Sequence, residues 1–252
     1  MTTAAPAILV VDDEPDACRN LADIFTDLGY RVDTAPDGPA ALDLVRKFPY
    51  AVALLDFKMP GMDGLELYRE IKRLRAGTVA IIVSAYTSLA TRDAALGAGA
   101  WRVLSKPVDL PRLLGLVDEA VGQPLVLVVD DDPDLCATLW DLFRERGFRV
   151  CIAHDAADAA ERMGTGPFKV VLIDMRLPAG DGSAVFRMVR ESCPDAHTVL
   201  ITGHREELGD LVHEVLRAGA DAVCYKPFDV PGLLDTVGRL SRDEPAGGDS
   251  HA

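Results

Sequence analysis

Apolar residues in this chain fall into short, β-branched-rich runs separated by stretches with a helical period. In the first half the runs Ile8 to Val11, Arg31 to Ala35, Ala51 to Asp56, Thr78 to Ser84 and Trp101 to Ser105 predict five strands. Helices are predicted from Pro15 to about Leu28, Asp37 to Lys47, Gly64 to Arg75, about Ser88 to Leu96, and Asp109 to Val121. Pro15 suits a first helical turn, Gly29 a stop, and Asp109 a cap. After Gly122, Gln123 and Pro124 the pattern restarts, with strands at Leu125 to Val129, Arg149 to Ala153, Phe168 to Asp174, Thr198 to Thr202 and Ala222 to Tyr225. Its helices begin at Pro133, Asp155, about Ser183, about Glu206 and Asp229. Strands this apolar cannot face water, so each set of five predicts a doubly wound α/β domain, a parallel sheet covered by helices on both sides. The expected domains are residues 6–122 and 123–241, followed by a disordered tail at 242–252 rich in Asp, Gly, Pro and Ser. The three-residue connection predicts a defined orientation of the two domains.

The halves share more than their periodicity. AVALLDFKMPGMDG at 51–64 returns as KVVLIDMRLPAGDG at 169–182, with Asp174 lying 118 residues after Asp56. Ligands of such sheets bind beyond the carboxyl ends of the strands. Those ends carry Asp12 and Asp13, Asp56, Ser84 and Lys106 in the first half. The second half has Asp130 and Asp131, Asp174, Thr202 and Lys226, the first three ends at the offset of 118 and the last at 120. Taken singly, Asp13 before Glu14 and Pro15 reads as a helix cap, Ser84 as a turn residue and Lys106 as a solvated charge. Their joint recurrence at matched strand ends is what such local roles do not account for.

Three converging carboxylates repel one another and stay ionised at neutral pH only beside a compensating cation. Mg2+ prefers hard oxygen ligands and is commonly held by one or two carboxylates together with a phosphate. Asp12, Asp13 and Asp56 fit that role, as do Asp130, Asp131 and Asp174. An ionised aspartate can attack phosphorus to give an acyl phosphate, with a lysine and a hydroxyl steadying the phosphoryl oxygens.

Composition narrows the classes. The 252 residues carry a formal charge of −14, of which −4 falls in residues 1–122 and −10 in 123–252, which argues against a large nucleic-acid or anionic-membrane surface. Cys18, Cys136, Cys151, Cys193 and Cys224 form no CxxC pair, so neither a zinc site nor a disulfide framework is indicated. With no basic leader before the first apolar run and no stretch near the ~18 apolar residues of a span, a cytoplasmic protein is expected. Gly97 and Gly99 lack the third glycine of a dinucleotide loop, and His213–Glu214 lacks a second metal-binding histidine. All five histidines lie in the second half, with His204 two residues after Thr202, and Arg69, Lys72, Arg73 and Arg75 read as a solvated helix face.

VVDDEP, LLDFKMPGMDG, IIVSAY and SKP in the first half, and VVDDDP, LIDMRLPAGDG, LITGH and YKP in the second, resemble the receiver domains of two-component response regulators along essentially the whole chain. The resemblance implies two flavodoxin-like domains, each a five-stranded sheet of order 2-1-3-4-5 flanked by five helices. It implies transfer of a phosphoryl group from a kinase phosphohistidine to Asp56 and Asp174, Mg2+ at the acidic pairs Asp12–Asp13 and Asp130–Asp131, and backbone carbonyls of Lys58 and Arg176 completing the metal shell. Ser84 and Thr202 become switch hydroxyls, and Lys106 and Lys226 phosphate contacts. The implied partners are a sensor histidine kinase or histidine phosphotransfer protein and a protein listener, with no nucleic acid or membrane, and with dimerisation compatible. The reaction is then self-phosphorylation rather than turnover of an external substrate. The pattern departs from the family at Val103 and Val223, where Tyr or Phe is usual, which shifts the expected readout to the loop after strand four and the contact between domains. Two other readings compete: the receiver part of a longer regulator with an output such as a nucleotide cyclase, and a haloacid-dehalogenase-like phosphatase. The latter lacks its DxD after strand one, since position 14 is Glu.

Overall fold

The structure is a computed structural model of the chain, and it describes residues 5–85, 89–164, 167–177, 180–203 and 215–244. Two compact units divide after Gln123, one residue beyond the expected boundary. In the first, the order is β1 (Ala7–Val11), α1 (Pro15–Asp27), β2 (Arg31–Ala35), α2 (Gly38–Lys47), β3 (Val52–Asp56), α3 (Gly64–Leu74), β4 (Val79–Ser84), α4 (Leu89–Gly97), β5 (Arg102–Ser105) and α5 (Leu110–Gly122). All strands pair in parallel in the order β2-β1-β3-β4-β5.

Period-two alternation along the central strands supplies two cores. Leu9, Val11, Leu55 and Ile82 pack with Ala41, Val45, Leu67, Tyr68 and Ile71 on one face, while Ile8, Val10, Leu54 and Ile81 pack with Cys18, Phe25, Leu113 and Val117 on the other. The edge strands β2 and β5 carry the exposed Arg31 and Arg102, as edges open to water require. Helix starts fall where side chains cap free amides. Asp37 accepts from Ala40 N, Asp109 from Arg112 N, and Asp63 forms a reciprocal box with Glu66. Asp37 is thus a cap outside α2 rather than its first residue.

The second unit comprises β6 (Leu125–Val129), α6 (Pro133–Glu145), β7 (Arg149–Ala153), α7 (Ala156–Met163), β8 (Phe168–Asp174), β9 (Arg176–Leu177), β10 (Gly180–Asp181), α8 (Gly182–Ser192), β11 (His197–Thr202), β12 (Ala222–Tyr225) and α9 (Val230–Ser241). Its parallel sheet has the order β7-β6-β8-β11-β12, the same winding as the first. Val126, Val128, Leu172 and Ile201 face α6 and α9; Leu127, Val129, Ile173 and Leu200 face α7 and α8. Residues 215–217 are helical, and the rest of the helix expected from about Glu206 lies outside the described residues, as do His204 and His213. The antiparallel pair β9–β10 is an addition that hydrophobic patterning did not predict, because two-residue strands have no period to read. Of the expected tail, residues 242–244 are hydrogen-bonded to α9 and residues 245–252 lie outside the described residues. No helix among the described residues is long and apolar enough to cross a membrane.

Candidate functional site

β1 delivers Asp12 and Asp13 to the carboxyl edge of the first sheet, and the adjacent β3 delivers Asp56. Asp56 lies beside Val83 in the β3–β4 register, which places Ser84 one residue further out, and Lys106 follows β5 with its amide donating to the Ser84 carbonyl at 2.8 Å. The topology thus brings all five predicted residues to one edge. Asp12 and Asp56 are each 6% exposed and Ser84 1%, whereas Asp13 faces solvent.

Lys106 Nζ bridges the two buried carboxylates, 2.9 Å from Asp12 Oδ2 and 2.7 Å from Asp56 Oδ1. The second oxygen of each aspartate is also occupied. Asp12 Oδ1 accepts from Glu14 N at 2.9 Å, and Asp56 Oδ2 accepts from Lys58 N at 3.1 Å. Asp13 caps nothing: the helix cap position is Glu14, which makes no side-chain cap bond. The Asp12, Asp13 and Asp56 carboxylates all offer an oxygen within 4.8 Å of one another.

The second unit repeats the arrangement. Lys226 Nζ lies 2.8 Å from Asp130 Oδ2 and 2.7 Å from Asp174 Oδ2, and its amide donates to the Thr202 carbonyl at 2.8 Å. Asp130 Oδ1 accepts from Asp132 N at 3.0 Å and Asp174 Oδ1 from Arg176 N at 2.9 Å. Asp130, Asp131 and Asp174 form the second cluster within 4.8 Å. Lys58 and Arg176 are therefore brought to the sites through their amides.

Burial pushes the Asp56 carboxyl above the usual carboxylate range; Lys106 opposes this, and Asp12 adds to it by like-charge repulsion. Asp130 is raised for the same first reason and opposed by Lys226. Burial disfavours the charged form of both lysines, but the two carboxylates beside each outweigh it and hold the ammonium above its ordinary value. One ammonium against three carboxylates leaves each cluster short of positive charge. Among the described residues the donor set of each cluster is carboxylate oxygens, which suit a divalent cation such as Mg2+. A cavity of about 250 Å³ opens beside the first cluster, walled by Val10, Ala17, Leu21, Leu54 and Val108, with Asp12, Asp56 and Lys106 at its polar end.

Two supporting features escaped motif reading. Gly64 and Gly182 start α3 and α8 so close to the ends of β3 and β8 that an added Cβ would lie 2.2 Å from the Asp56 carbonyl oxygen and 2.4 Å from that of Asp174. Cys18 and Cys136 are buried, and each thiol donates to the carbonyl of the first acidic residue, at 3.4 Å to Asp12 and 3.2 Å to Asp130. Both pairs obey the offset of 118, the signal that could have found them. Val103 and Val223 are half-buried against the α2/α3 and α7/α8 cores respectively, so no ring stands at either place. Only part of the basic group on α3 is a solvated face: Arg73 pairs with Glu70 at 2.6 Å, and Arg75 donates to the Val45 and Arg46 carbonyls at the end of α2.

The sequence profile described as the response regulator receiver domain matches residues 8–118 and again 126–238. The response regulator receiver protein of Anaeromyxobacter sp. (strain Fw109-5) is 36% identical over 235 residues, covering 93% of this chain and 95% of that protein. The transcriptional regulatory protein ZraR of Klebsiella oxytoca is 39% identical over 115 residues, covering 46% of this chain but only 26% of its own length. Among solved structures, a CheY-like response regulator receiver domain protein from Methanospirillum hungatei JF-1 is 32% identical, with a TM-score of 0.45, covering 46% of this chain and 94% of that one. A doubly wound sheet with an acidic cluster and a lysine at its carboxyl edge is the receiver class of fold. The chain belongs to the response regulator receiver domain family and carries that domain twice.

Proposed function

We propose that each receiver takes a phosphoryl group from the phosphohistidine of a sensor histidine kinase or histidine phosphotransfer protein, onto Asp56 in the first and Asp174 in the second, and signals through protein contacts. The observation that carries this reading is the twofold recurrence of a buried aspartate whose carboxylate is hydrogen-bonded to a lysine ammonium that also binds a second carboxylate. An ionised carboxylate is already a nucleophile at neutral pH and needs no general base. A carboxylate oxygen of Asp56 attacks phosphorus, the P–N bond to the donor imidazole breaks with its electron pair passing to that nitrogen, and the ring, already protonated on its other nitrogen, leaves as neutral imidazole. Lys106 follows the negative charge onto the phosphoryl oxygens and the Ser84 hydroxyl donates to one of them, as Lys226 and Thr202 do at the second site. Asp12, Asp13 and Asp56, with the Lys58 carbonyl, would hold Mg2+ at the first site; Asp130, Asp131 and Asp174, with the Arg176 carbonyl, would do so at the second. When bound, the metal supplies positive charge to the phosphoryl oxygens in a site otherwise dominated by carboxylates. The chain is thus a substrate of its partner and works on itself, in the cytoplasm, rather than turning over an external compound.

Incubation with acetyl phosphate and Mg2+ followed by intact-mass measurement tests this. Up to two added phosphoryl groups are expected in wild type, one each in Asp56→Asn and Asp174→Asn, and none in the double variant. A wild-type protein that never takes more than one group, under conditions of slow hydrolysis, would refute two working receivers.

A further inference from the structure

The cavity beside the first acidic cluster has walls that phosphoryl chemistry does not use. Its volume is about 250 Å³, against the roughly 150 Å³ of apolar cavity that suffices for benzene. It opens between α1 and the turn after β5, where Val10, Ala17, Leu21, Leu54 and Val108 form its sides. Val10 and Leu54 belong to the core under α1 and α5, and Leu21 and Val108 pack against that core. A metal held by oxygens gains nothing from such a wall. An apolar group of a ligand does, by leaving water.

The polar end sets the charge of what can enter. Asp12, Glu14 and Asp56 line it together with one cation, Lys106. Asp12 and Asp56 are each 6% exposed, so little water screens them. Carboxylates accept hydrogen bonds and attract cations, whereas an anionic head would add negative charge to a cluster already short of positive charge. A ligand with an apolar body and a single ammonium head matches both ends of the cavity.

The second receiver keeps the polar end and changes the walls. Asp12, Glu14 and Asp56 recur as Asp130, Asp132 and Asp174, and Val10, Leu21 and Leu54 as Val128, Leu139 and Leu172, all at the offset of 118. Ala17, however, becomes Leu135, and Val108, at the offset of 120, becomes Phe228. Leu135 and Phe228 both pack against the core that holds Val128, Leu139 and Leu172, so bulk stands at both places where the first receiver has small side chains. Both acidic clusters are intact, and the chemistry they share does not impose this difference.

We propose that the first receiver carries a binding site for a small organic amine, with its ammonium head against Asp12 and Asp56 and its apolar or aromatic body between α1 and Val108, and that the second receiver does not take this ligand. The consequence rests on the reading of Asp56 as a phosphoryl acceptor: a head seated on the Asp12 and Asp56 carboxylates covers the oxygens that metal and phosphorus need. The amine and Mg2+ then oppose one another, and by linkage each weakens the other by the same factor. Phosphoryl entry at Asp56 responds to the amine, and entry at Asp174 does not.

Benzylamine, protonated at neutral pH and of a size for the cavity, is the probe, with benzyl alcohol and benzoate as its neutral and anionic counterparts. Titrated into the full chain without metal and followed by amide NMR, benzylamine should saturate, with shifts at residues 10–21 and at Val108 and none at residues 128–139 or at Phe228. Benzyl alcohol should bind about tenfold more weakly and benzoate not measurably. Ala17→Leu and Val108→Phe install the residues that the second receiver holds in the same fold, and each should weaken benzylamine about tenfold or more. In phosphoryl uptake from phosphoramidate, a donor that amines do not consume, benzylamine should slow loading of Asp56 in Asp174→Asn protein and leave loading of Asp174 in Asp56→Asn protein unchanged. Adding Ala17→Leu should remove the effect on Asp56. No saturable binding, benzoate bound as tightly as benzylamine, shifts shared by both receivers, or full benzylamine affinity in both wall variants would overturn the proposal. Saturable binding at α1 in a chain that never loads Asp56 would instead refute the acceptor reading and leave the amine site standing.

Discussion

Replacing Gly64 by alanine should damage the Asp56 site through sterics alone. The new Cβ would stand 2.2 Å from the Asp56 carbonyl oxygen, 3.0 Å from its carbon and 3.2 Å from Phe57 Cα, where ordinary contact begins at 3.4 Å. About 1.2 Å of relief is needed at the closest atom. The backbone there is pinned by Phe57 N to Val83 O at 2.7 Å and by Gly64 N to Phe57 O at 3.0 Å, so both the start of α3 and the end of β3 must move. Overpacking of this kind costs about 1–3 kcal/mol, against a gain of at most about 1 kcal/mol for alanine over glycine in a helix. A net loss of about 1 kcal/mol is expected. Misplacing Asp56 by about an ångström stretches its 2.7 Å contact with Lys106, and shifts of that size cost on the order of 100-fold in rate. Urea unfolding reads the first quantity. The second is read by phosphoryl uptake from acetyl phosphate in an Asp174→Asn background, where only Asp56 can load. Gly115→Ala is the control: its Cβ meets nothing within 4 Å inside α5, so it should stabilise by about 0.5–1 kcal/mol. Wild-type stability and wild-type uptake in Gly64→Ala would refute the reasoning.

Lys106→Met should leave Asp12 and Asp56 buried side by side without their cation, costing about 3 kcal/mol by denaturant titration without metal and about 100-fold or more in phosphoryl uptake. Asp13→Ala should abolish Mg2+ affinity at the first cluster and spare the second, as measured by calorimetric titration; an unaltered first site would mean the cluster has been misread. Tyr68→Phe removes the 2.9 Å bond from a buried hydroxyl to the Gly99 carbonyl, and should cost about 1–2 kcal/mol in urea unfolding with acceptor loading retained. Burial pushes the Cys136 thiol up to about 12, so at pH 8 only about one in ten thousand is thiolate, and alkylation followed by mass spectrometry should find it unlabelled in the native protein and labelled in urea.

The sheets and the aspartates at their carboxyl edges were legible because the signals were strong and doubled. Central strands such as Val52–Asp56 are buried on both faces and read as unbroken apolar runs, and the aspartate at each end is where the run stops. A repeat at 118 residues turned individually ambiguous groups, Asp13 and Ser84 among them, into a pattern. What stayed hidden depends on three-dimensional approach. Gly64 read only as the first residue of a predicted helix, yet its lack of a side chain is what lets α3 begin against the Asp56 carbonyl. Arg75 looked solvated, yet its guanidinium reaches the last carbonyls of α2, which no linear spacing announces. His197 bonds Asp221 and Asp243, and Asp243 bonds Lys169, a cluster drawn from four separate segments of the second receiver; the matching positions of the first are Ala51, Val79, Trp101 and Gln123, so the repeat that exposed the acidic clusters gave it no echo.

The central claim, that Asp56 and Asp174 are the phosphoryl acceptors, can be read residue by residue. After loading with acetyl phosphate and Mg2+, borohydride reduces an aspartyl phosphate to homoserine, and peptide sequencing by mass spectrometry locates the change. The account predicts homoserine at positions 56 and 174 and nowhere else, with each signal lost in the corresponding Asp→Asn variant. Homoserine at Asp12, Asp13, Asp130 or Asp131, or its absence from either predicted position in protein whose intact mass shows two phosphoryl groups, would contradict it.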